Sequence, residues 1–462
     1  MTILALAPAF AALIWMARKP LRSAYLDVYL FTLFLLPGWC RFIAPGTPDP
    51  AFHESALLPL AAVWLAREWK RWQVSAGDWL VLSFAGIVGY SEYANAGYKE
   101  AQNLLFDLIA AGLLPYAMAK GLLRTTEHRV AFAKRVVTLL GLLTVFMAWE
   151  FRFAYNPYRF VFDRFFPGQG DGWVTTFRYG FARSAGPYGH AILAGIVFLI
   201  GFHLQRWLEN SGRWESHFRR FRLPGLGKGR ALSALLLGGL VMTMVRGPQI
   251  GAAIAAVVAA IGSGPNPRRR ARWAALTVLA VGIPAGIAAY SYASVGRAAA
   301  KTASQESAAY RKELIDKYVE VALDHALLGW GRNGWPKVAG MPSIDNYYLL
   351  LSLMHGVVAT LLLSALLAGM TIRLLRDGMR SGMLRPRGSS LSFRLAGIFA
   401  GFSFAVLTVY MGDNVIPILF TLVGFAEGFL VAGGDRSLAV PQIGQESSAS
   451  PAPPRPFAVI LS

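Results

Sequence analysis

Charge is scarce in this chain: Asp, Glu, Lys and Arg together make up 15% of its 462 residues. A soluble domain of this size carries about a quarter charged residues, so the deficit excludes a surface that faces water throughout. Acidic residues are scarcer still, 25 against 45 Lys and Arg, which leaves a formal net charge of +20. Such an excess can serve a nucleic acid. Here the basic residues stand in short clusters between apolar runs, as in the cytoplasmic loops of membrane proteins, and no nucleic-acid partner is expected. Cys40 is the only cysteine, which excludes an intrachain disulfide and a Cys-based metal centre. The apolar start, Thr2 to Met16, lacks a basic leader and a small-x-small cleavage site, so it reads as part of the mature protein.

What the chain has in abundance is apolar sequence, 55% of all residues. At about twenty residues per span, this predicts an all-α polytopic membrane protein with 12 to 13 transmembrane helices. The thirteen apolar cores are Thr2 to Met16, Ala24 to Ile43, Glu54 to Ala66, Asp78 to Tyr90, Asn103 to Ala119, Val136 to Trp149, Tyr188 to Phe202, Ala231 to Val245, Ile250 to Ile261, Trp273 to Tyr290, Tyr347 to Leu367, Leu395 to Met411 and Val415 to Ala432. Placing the cluster Arg268, Arg269, Arg270 and Arg272 inside and alternating outward puts 30 of the 45 basic residues on the cytoplasmic face. Of the 15 outside, 12 fall in two long loops, 151–187 and 293–344, where the charge rule is weak. Residues 1–432 thus form one polytopic domain with two long periplasmic loops. The Ser-, Pro- and Gln-rich segment 433–462 reads as a disordered cytoplasmic tail.

Long loops are usually functional, and these two gather arginines at one face. The first holds Arg152, Arg159, Arg164, Arg178 and Arg183, and enters the next helix through Arg183-Ser-Ala-Gly-Pro-Tyr-Gly-His190. The second contains an amphipathic stretch, Glu306 to Asp324, read as an interfacial helix with Arg311 on it. It then passes through Gly329-Trp-Gly-Arg-Asn-Gly-Trp335 and returns to the membrane at Ile344-Asp-Asn-Tyr-Tyr-Leu349. Between the loops lies a tight external turn, Val245-Arg-Gly-Pro-Gln249. A guanidinium holds a permanent charge on a planar donor fork suited to phosphate oxygens. Arg183 and Arg246 are the strongest candidates for a lipid-linked pyrophosphate; Arg152, Arg159 and Arg164 read as headgroup or capping arginines. Asp345 is either a helix N-cap or a general base for a sugar hydroxyl, with Asn346 orienting the sugar or Asp345 itself. His190 reads as a helix-end hydrogen-bonding residue. His355 and Asp107 stand inside predicted spans, where polar groups are uncommon. No zinc spacing, P-loop, dinucleotide fingerprint or Ser-His-Asp order is present, and no metal or cofactor is expected.

At these residues the chain resembles the O-antigen ligase/polymerase superfamily of bacterial envelope glycan assembly, most of all its exopolysaccharide repeat-unit polymerases. Arg183 to His190 is similar to that family's Arg-x-x-Gly-Pro-x-x-His entry, and Arg246, Gly247 and Pro248 to its Ser-Arg-Gly turn, with Val245 in place of Ser. Leu328-Gly-Trp-Gly331 followed by Asp345, Asn346, Tyr348 and Leu349 is similar to its Gly-x-Gly segment and re-entry motif. Ligases of the superfamily resemble one another in a His where this chain has Asp345, so the resemblance favours a polymerase. It implies inverting glycosyl transfer between polyprenyl-pyrophosphate-linked oligosaccharides at the periplasmic face of the bacterial inner membrane. Asp345, Arg183 and Arg246 would be catalytic, and Arg178, Gly186, His190, Arg311, Asn346 and Tyr348 would bind substrate. Membrane lipids, a chain-length regulator and a flippase are the partners it implies. A ligase of the same fold and a lipid-linked oligosaccharide flippase are the competing readings.

Overall fold

The structure, a computed structural model, describes residues 2–170, 175–215, 227–264, 266–381, 389–412 and 414–438. Among these, α1 (Ala7–Arg18), α2 (Leu21–Ala24) and α3 (Leu30–Leu35) open the chain, a π turn at Tyr25–Tyr29 joining the last two. Then come α4 (Phe52–Arg67), α5 (Ala76–Asp107), a π turn (Leu108–Leu113), α6 (Leu114–Leu122), α7 (Thr126–Phe153) and the short α8 (Pro157–Phe162). After a two-stranded hairpin, β1 (Phe177–Arg178) with β2 (Phe181–Ala182), follow α9 (Ala191–Asn210), α10 (Lys228–Met242), α11 (Arg246–Ile261) and α12 (Pro267–Ala293). The chain closes with α13 (Ala303–Asp324), α14 (Tyr347–Ser381), α15 (Leu391–Ala405) and α16 (Val415–Val431). Each predicted apolar core overlaps a helix. Six helical runs are long and apolar enough to cross a membrane, from Ala76–Leu122 to Leu391–Thr408, and Thr2–Arg18, Arg246–Ile261 and Val415–Val431 are shorter apolar helices. The protein is an all-α, multi-pass membrane protein.

Three expectations change in detail. The second predicted span, Ala24 to Ile43, stops at Leu35, because Leu36 precedes Pro37 and is extended (φ −106°, ψ 146°). The fourth and fifth cores share one helical run, Ala76–Leu122, broken at Gly97 by a positive φ of 77°. The helix expected at the membrane interface, Glu306 to Asp324, lays its apolar face on protein instead. Leu314, Tyr318 and Ala322 pack with Met341, Ile344, Leu349 and Leu353, because the returning loop offers an apolar surface at hand. Of the expected tail, Gly434–Leu438 forms a 3-10 turn, and Asp435 accepts hydrogen bonds from Ser390 Oγ and the Leu391 N–H. Residues 439–462, the rest of that segment, lie outside the described residues.

Small residues set the closest helix contacts, as expected where lipid removes the hydrophobic drive to associate. A Cβ at Gly251 would stand 2.6 Å from the Gly401 carbonyl oxygen, and one at Gly397 2.6 Å from that of Ala255, so α11 and α15 touch backbone to backbone. Gly424 and Gly428, also four apart, give α16 the same approach to α6 at Tyr116 and Lys120. The first contact brings the Arg246 end of α11 beside Thr408, past the end of α15.

Helix α14 is interrupted at Gly356 (φ 84°, ψ 166°), and the chain at 326–332 fills the gap. Trp330 and Gly331 donate to the carbonyls of Leu353 and Met354, each at 2.9 Å, and Val357 donates to that of Ala326 at 2.6 Å. Helix α5 holds the same segment: Ser91 Oγ and Asn95 Nδ2 donate to the Leu328 carbonyl, and Glu92 accepts from the N–H and Nε of Arg332, both at 3.0 Å. Non-helical backbone at this depth persists because every opened peptide group named here finds a partner. The glycines of Leu328-Gly-Trp-Gly331 are therefore structural; a Cβ on Gly329 would come within 2.6 Å of the α14 backbone at 354–356. Gly356→Ala should cost about 3 kcal/mol, since it forces a side chain into a glycine-only region and onto the Leu327 carbonyl. Thermal unfolding in detergent checks this against Gly369→Ala, where a Cβ meets nothing within 4 Å in the same helix.

Candidate active site

The three sequence segments that carry the resemblance meet at one end of the bundle. Glu150, near the end of α7, receives the N–H groups of Ala185 (3.1 Å) and Gly186 (2.9 Å) and the Asn156 amide (3.1 Å), which fixes the entry to α9. The hairpin before that entry docks on the turn before α11: Ser184 donates to the Met242 carbonyl at 3.2 Å, and Arg178 Nη1 to the Met244 carbonyl at 2.6 Å. Two residues on, Arg246 opens α11 and reaches Ser304 Oγ in the first turn of α13 at 3.2 Å. Arg311 lies seven residues along α13 from Ser304, on the same face about 10 Å away, and bonds Ser307 Oγ at 3.2 Å. Helix α13 then grips the returning loop through the Tyr310 hydroxyl on the Ser343 carbonyl and the Val338 N–H on the Tyr318 hydroxyl. Asp345 follows two residues after Ser343.

The ring closes at His190, on which both Arg183 and Asp345 act electrostatically. His190 caps α9, its Nδ1 accepting the Ile192 N–H at 3.1 Å, which leaves no basic nitrogen on that side of the ring for proton transfer. Burial first and Arg183 second push the imidazole down to about 4, with Asp345 opposing them. It is neutral in the folded protein across the physiological range. Between about pH 4 and its unfolded value near 6.5 the unfolded chain binds more protons at this position, so stability falls as pH drops through that window. The melting temperature should show this slope, and His190→Asn, which keeps a cap acceptor without a titratable ring, should lose that part of it.

Of Asp345 and Asn346, it is Asn346 that takes the cap of α14: its Oδ1 accepts the Leu349 N–H at 3.2 Å. Asp345 Oδ1 accepts only from the Ser343 hydroxyl, at 3.0 Å, and the carboxylate is partly open. Tyr348 turns away from this pair, its hydroxyl on the Ser403 carbonyl of α15 at 3.2 Å. Gly186 is buried, with φ +57° and both peptide groups engaged, by Glu150 and Asn156. Of the residues expected to bind substrate, Gly186 has both peptide groups engaged within the protein and Tyr348 donates its hydroxyl to Ser403, while Asn346 uses its Oδ1 for the cap.

The arginines differ in the same informative way. Arg159 pairs with Asp163 at 3.1 Å, while Arg164 and Arg152 lie over Phe160 and Phe153. Among the described residues none of Arg178, Arg183, Arg246 and Arg311 forms an ion pair, and the Nε atoms of Arg183 and Arg311 are buried without a partner. Burial, and then repulsion from Arg178, push the Arg183 guanidinium below its ordinary value. Four uncompensated cations joined segment to segment around one open carboxylate favour a multiply charged anion. A family model described as O-antigen ligase matches residues 231–364, from α10 through Arg246, α13 and Asp345 into α14. Over that stretch the chain is similar to the O-antigen ligase family. No curated protein matches it.

Beside these residues lies a cavity of about 290 Å³ that the sequence did not foretell. Phe84, Leu108, Leu351 and Phe420 make its walls apolar, and Tyr347 and Tyr410 connect it to Asp345 and His190. Arg41 and Asp107, paired at 3.1 Å, and Arg332 line its polar part. His355, also on its wall, shares a hydrogen bond with Ser91 Oγ at 3.1 Å. Only the unusual placing of Asp107 and His355 inside spans signalled it in the sequence; its other residues come from five distant segments. Glu150 was equally silent, a lone acid at the end of an apolar run.

Proposed function

We propose that the protein is a membrane glycosyltransferase that polymerises polyprenyl-pyrophosphate-linked polysaccharide repeat units at the periplasmic face of the bacterial inner membrane. The similarity of residues 231–364 to the O-antigen ligase family supports glycosyl transfer from a lipid-linked glycan in general. The observation that carries the finer reading is the set of unpaired arginines, Arg178, Arg183, Arg246 and Arg311, around the open carboxylate of Asp345.

In this reaction a non-reducing-end hydroxyl of one lipid-linked unit attacks the anomeric carbon of the chain on a second carrier. The new glycosidic C–O bond forms as the old bond to pyrophosphate breaks, with inversion for a direct displacement. Asp345 accepts the hydroxyl proton, and polyprenyl pyrophosphate leaves with the electron pair of the broken bond. Arg183 and Arg246 stabilise the charge that grows on it, and Arg178 and Arg311 extend the positive field. The apolar cavity beside Tyr347 and Tyr410 offers a dry surface to an isoprenoid segment or to the apolar face of a sugar.

The matched family's description favours a second reading, a ligase that moves finished glycan to a lipid, glycan or protein acceptor. Incubating purified protein with a defined lipid-linked repeat unit separates the two. A polymerase yields a ladder of longer lipid-linked products, whereas a ligase leaves the unit unextended until its acceptor is added. Unchanged single units with and without acceptors would reject both.

A further inference from the structure

Two arginines inside the bundle are answered by neighbours. Arg129, fully buried, donates Nε to the Leu123 carbonyl at 3.1 Å and a second bond to that of Arg124. Arg373 pairs with the buried carboxylate of Glu427. Arg394, in the first turn of α15, is different: it is 8% exposed and makes no hydrogen bond or ion pair among the described residues. The charged groups that act on it most strongly are Arg206 and Glu209, near the end of α9. Glu209 is already engaged, its Oε2 accepting from Arg206 Nη1 at 2.7 Å and from Ser233 Oγ at 2.6 Å. His203 is fully buried nearby, its Nε2 on the Ala252 carbonyl at 3.0 Å and its Nδ1 without a partner, and both arginines act on it.

One carboxylate therefore faces two guanidiniums, and the surplus charge sits on a side chain more than nine-tenths buried. An uncompensated buried charge costs several kcal/mol, which a bound anion would offset. The location narrows the source of that anion. Helix α9 starts beside His190 and Asp345, and Arg206 lies 16 residues further on (206 − 190), about 24 Å along the axis. That is close to the thickness of a bilayer's hydrocarbon core and places the cluster near the opposite boundary, at the depth of lipid phosphates. The described chain after α9 adds Arg213 and, in the first turn of α10, Lys228 and Arg230, a composition that draws anionic lipid to this side.

We propose that Arg394 and Arg206 form a binding site for a phosphate-bearing anion at the end of the bundle opposite Asp345, of the kind carried by an anionic glycerophospholipid headgroup. The site is independent of the transfer reaction and tethers α9 to α15, the two helices whose other ends lead to His190 and Tyr410.

The test uses full-length protein, delipidated in a neutral detergent, with phosphatidylglycerol, phosphatidylcholine or inorganic phosphate added, followed by thermal unfolding and by native mass spectrometry. Phosphatidylglycerol should raise the melting temperature and stay bound where phosphatidylcholine does not. Arg394→Gln should weaken that binding about tenfold, and Arg268→Gln, on the exposed start of α12, should leave it unchanged. Equal protection by inorganic phosphate supports the anion site and identifies its ligand as a free anion. Should Arg394→Gln fail to fold, Arg206→Gln, with a side chain already 35% exposed, carries the same expectation. Equal binding of the two lipids by the unaltered protein, or undiminished phosphatidylglycerol binding in the glutamine variants, overturns the proposal.

Discussion

The Arg183→Ala, Arg246→Ala double variant should form glycosidic product on the order of 10⁴-fold more slowly than the unaltered protein while remaining folded in the membrane. Each guanidinium is proposed to meet charge that develops on the leaving pyrophosphate, and loss of one such donor typically costs about 3 kcal/mol, roughly a hundredfold in rate. The side chains come from different segments, Arg183 from the residue after β2 and Arg246 from the start of α11, and two losses of that size set the scale of the double variant. Neither forms an ion pair among the described residues. Arg246 is exposed and donates to the Ser304 hydroxyl, and Arg183 reaches the Thr176 hydroxyl at 3.3 Å. The melting temperature should therefore barely move. Product formation at the normal rate would remove both residues from the site. Arg159→Ala provides the contrast, since that guanidinium is occupied by Asp163.

Asp345→Asn should lower the rate by about a hundredfold or more and leave stability nearly unchanged. General-base catalysis contributes roughly 10² to 10⁴ in rate, and an amide cannot take the proton. Because Asn346 supplies the cap of α14, the carboxylate of Asp345 has no structural duty beyond the Ser343 hydroxyl. Asn346→Ala should do the reverse, costing about 1 kcal/mol of stability through the lost cap with a smaller effect on rate. Rates on a defined lipid-linked unit, set beside melting temperatures, distinguish these outcomes. If Asp345→Asn lowered stability and Asn346→Ala abolished transfer, the two residues would exchange roles. Full activity in Asp345→Asn would mean that the base lies elsewhere.

The sequence by itself determined the class of the fold and the position of its helices. Apolar length and the sorting of Lys and Arg depend on transfer free energies that act residue by residue, so no contact map is needed to read them. It also pointed to Arg183, Arg246 and Asp345, because a charge beside an apolar run is costly enough to stand out. Tertiary structure decided which of the marked residues are free. Asp345 and Asn346 are adjacent, and both residue types cap helices; only the direction of the α14 backbone awards the cap to Asn346. Gly329 and Gly356 look like ordinary loop and helix glycines until the segment 326–332 is seen filling the break in α14. Glu150 and Arg394 were invisible for the same reason: what matters about a buried charge is whether a partner answers it, and that partner lies on another helix. The shortage of charge identified a membrane protein, and packing then decided which of its few charges are left without a partner.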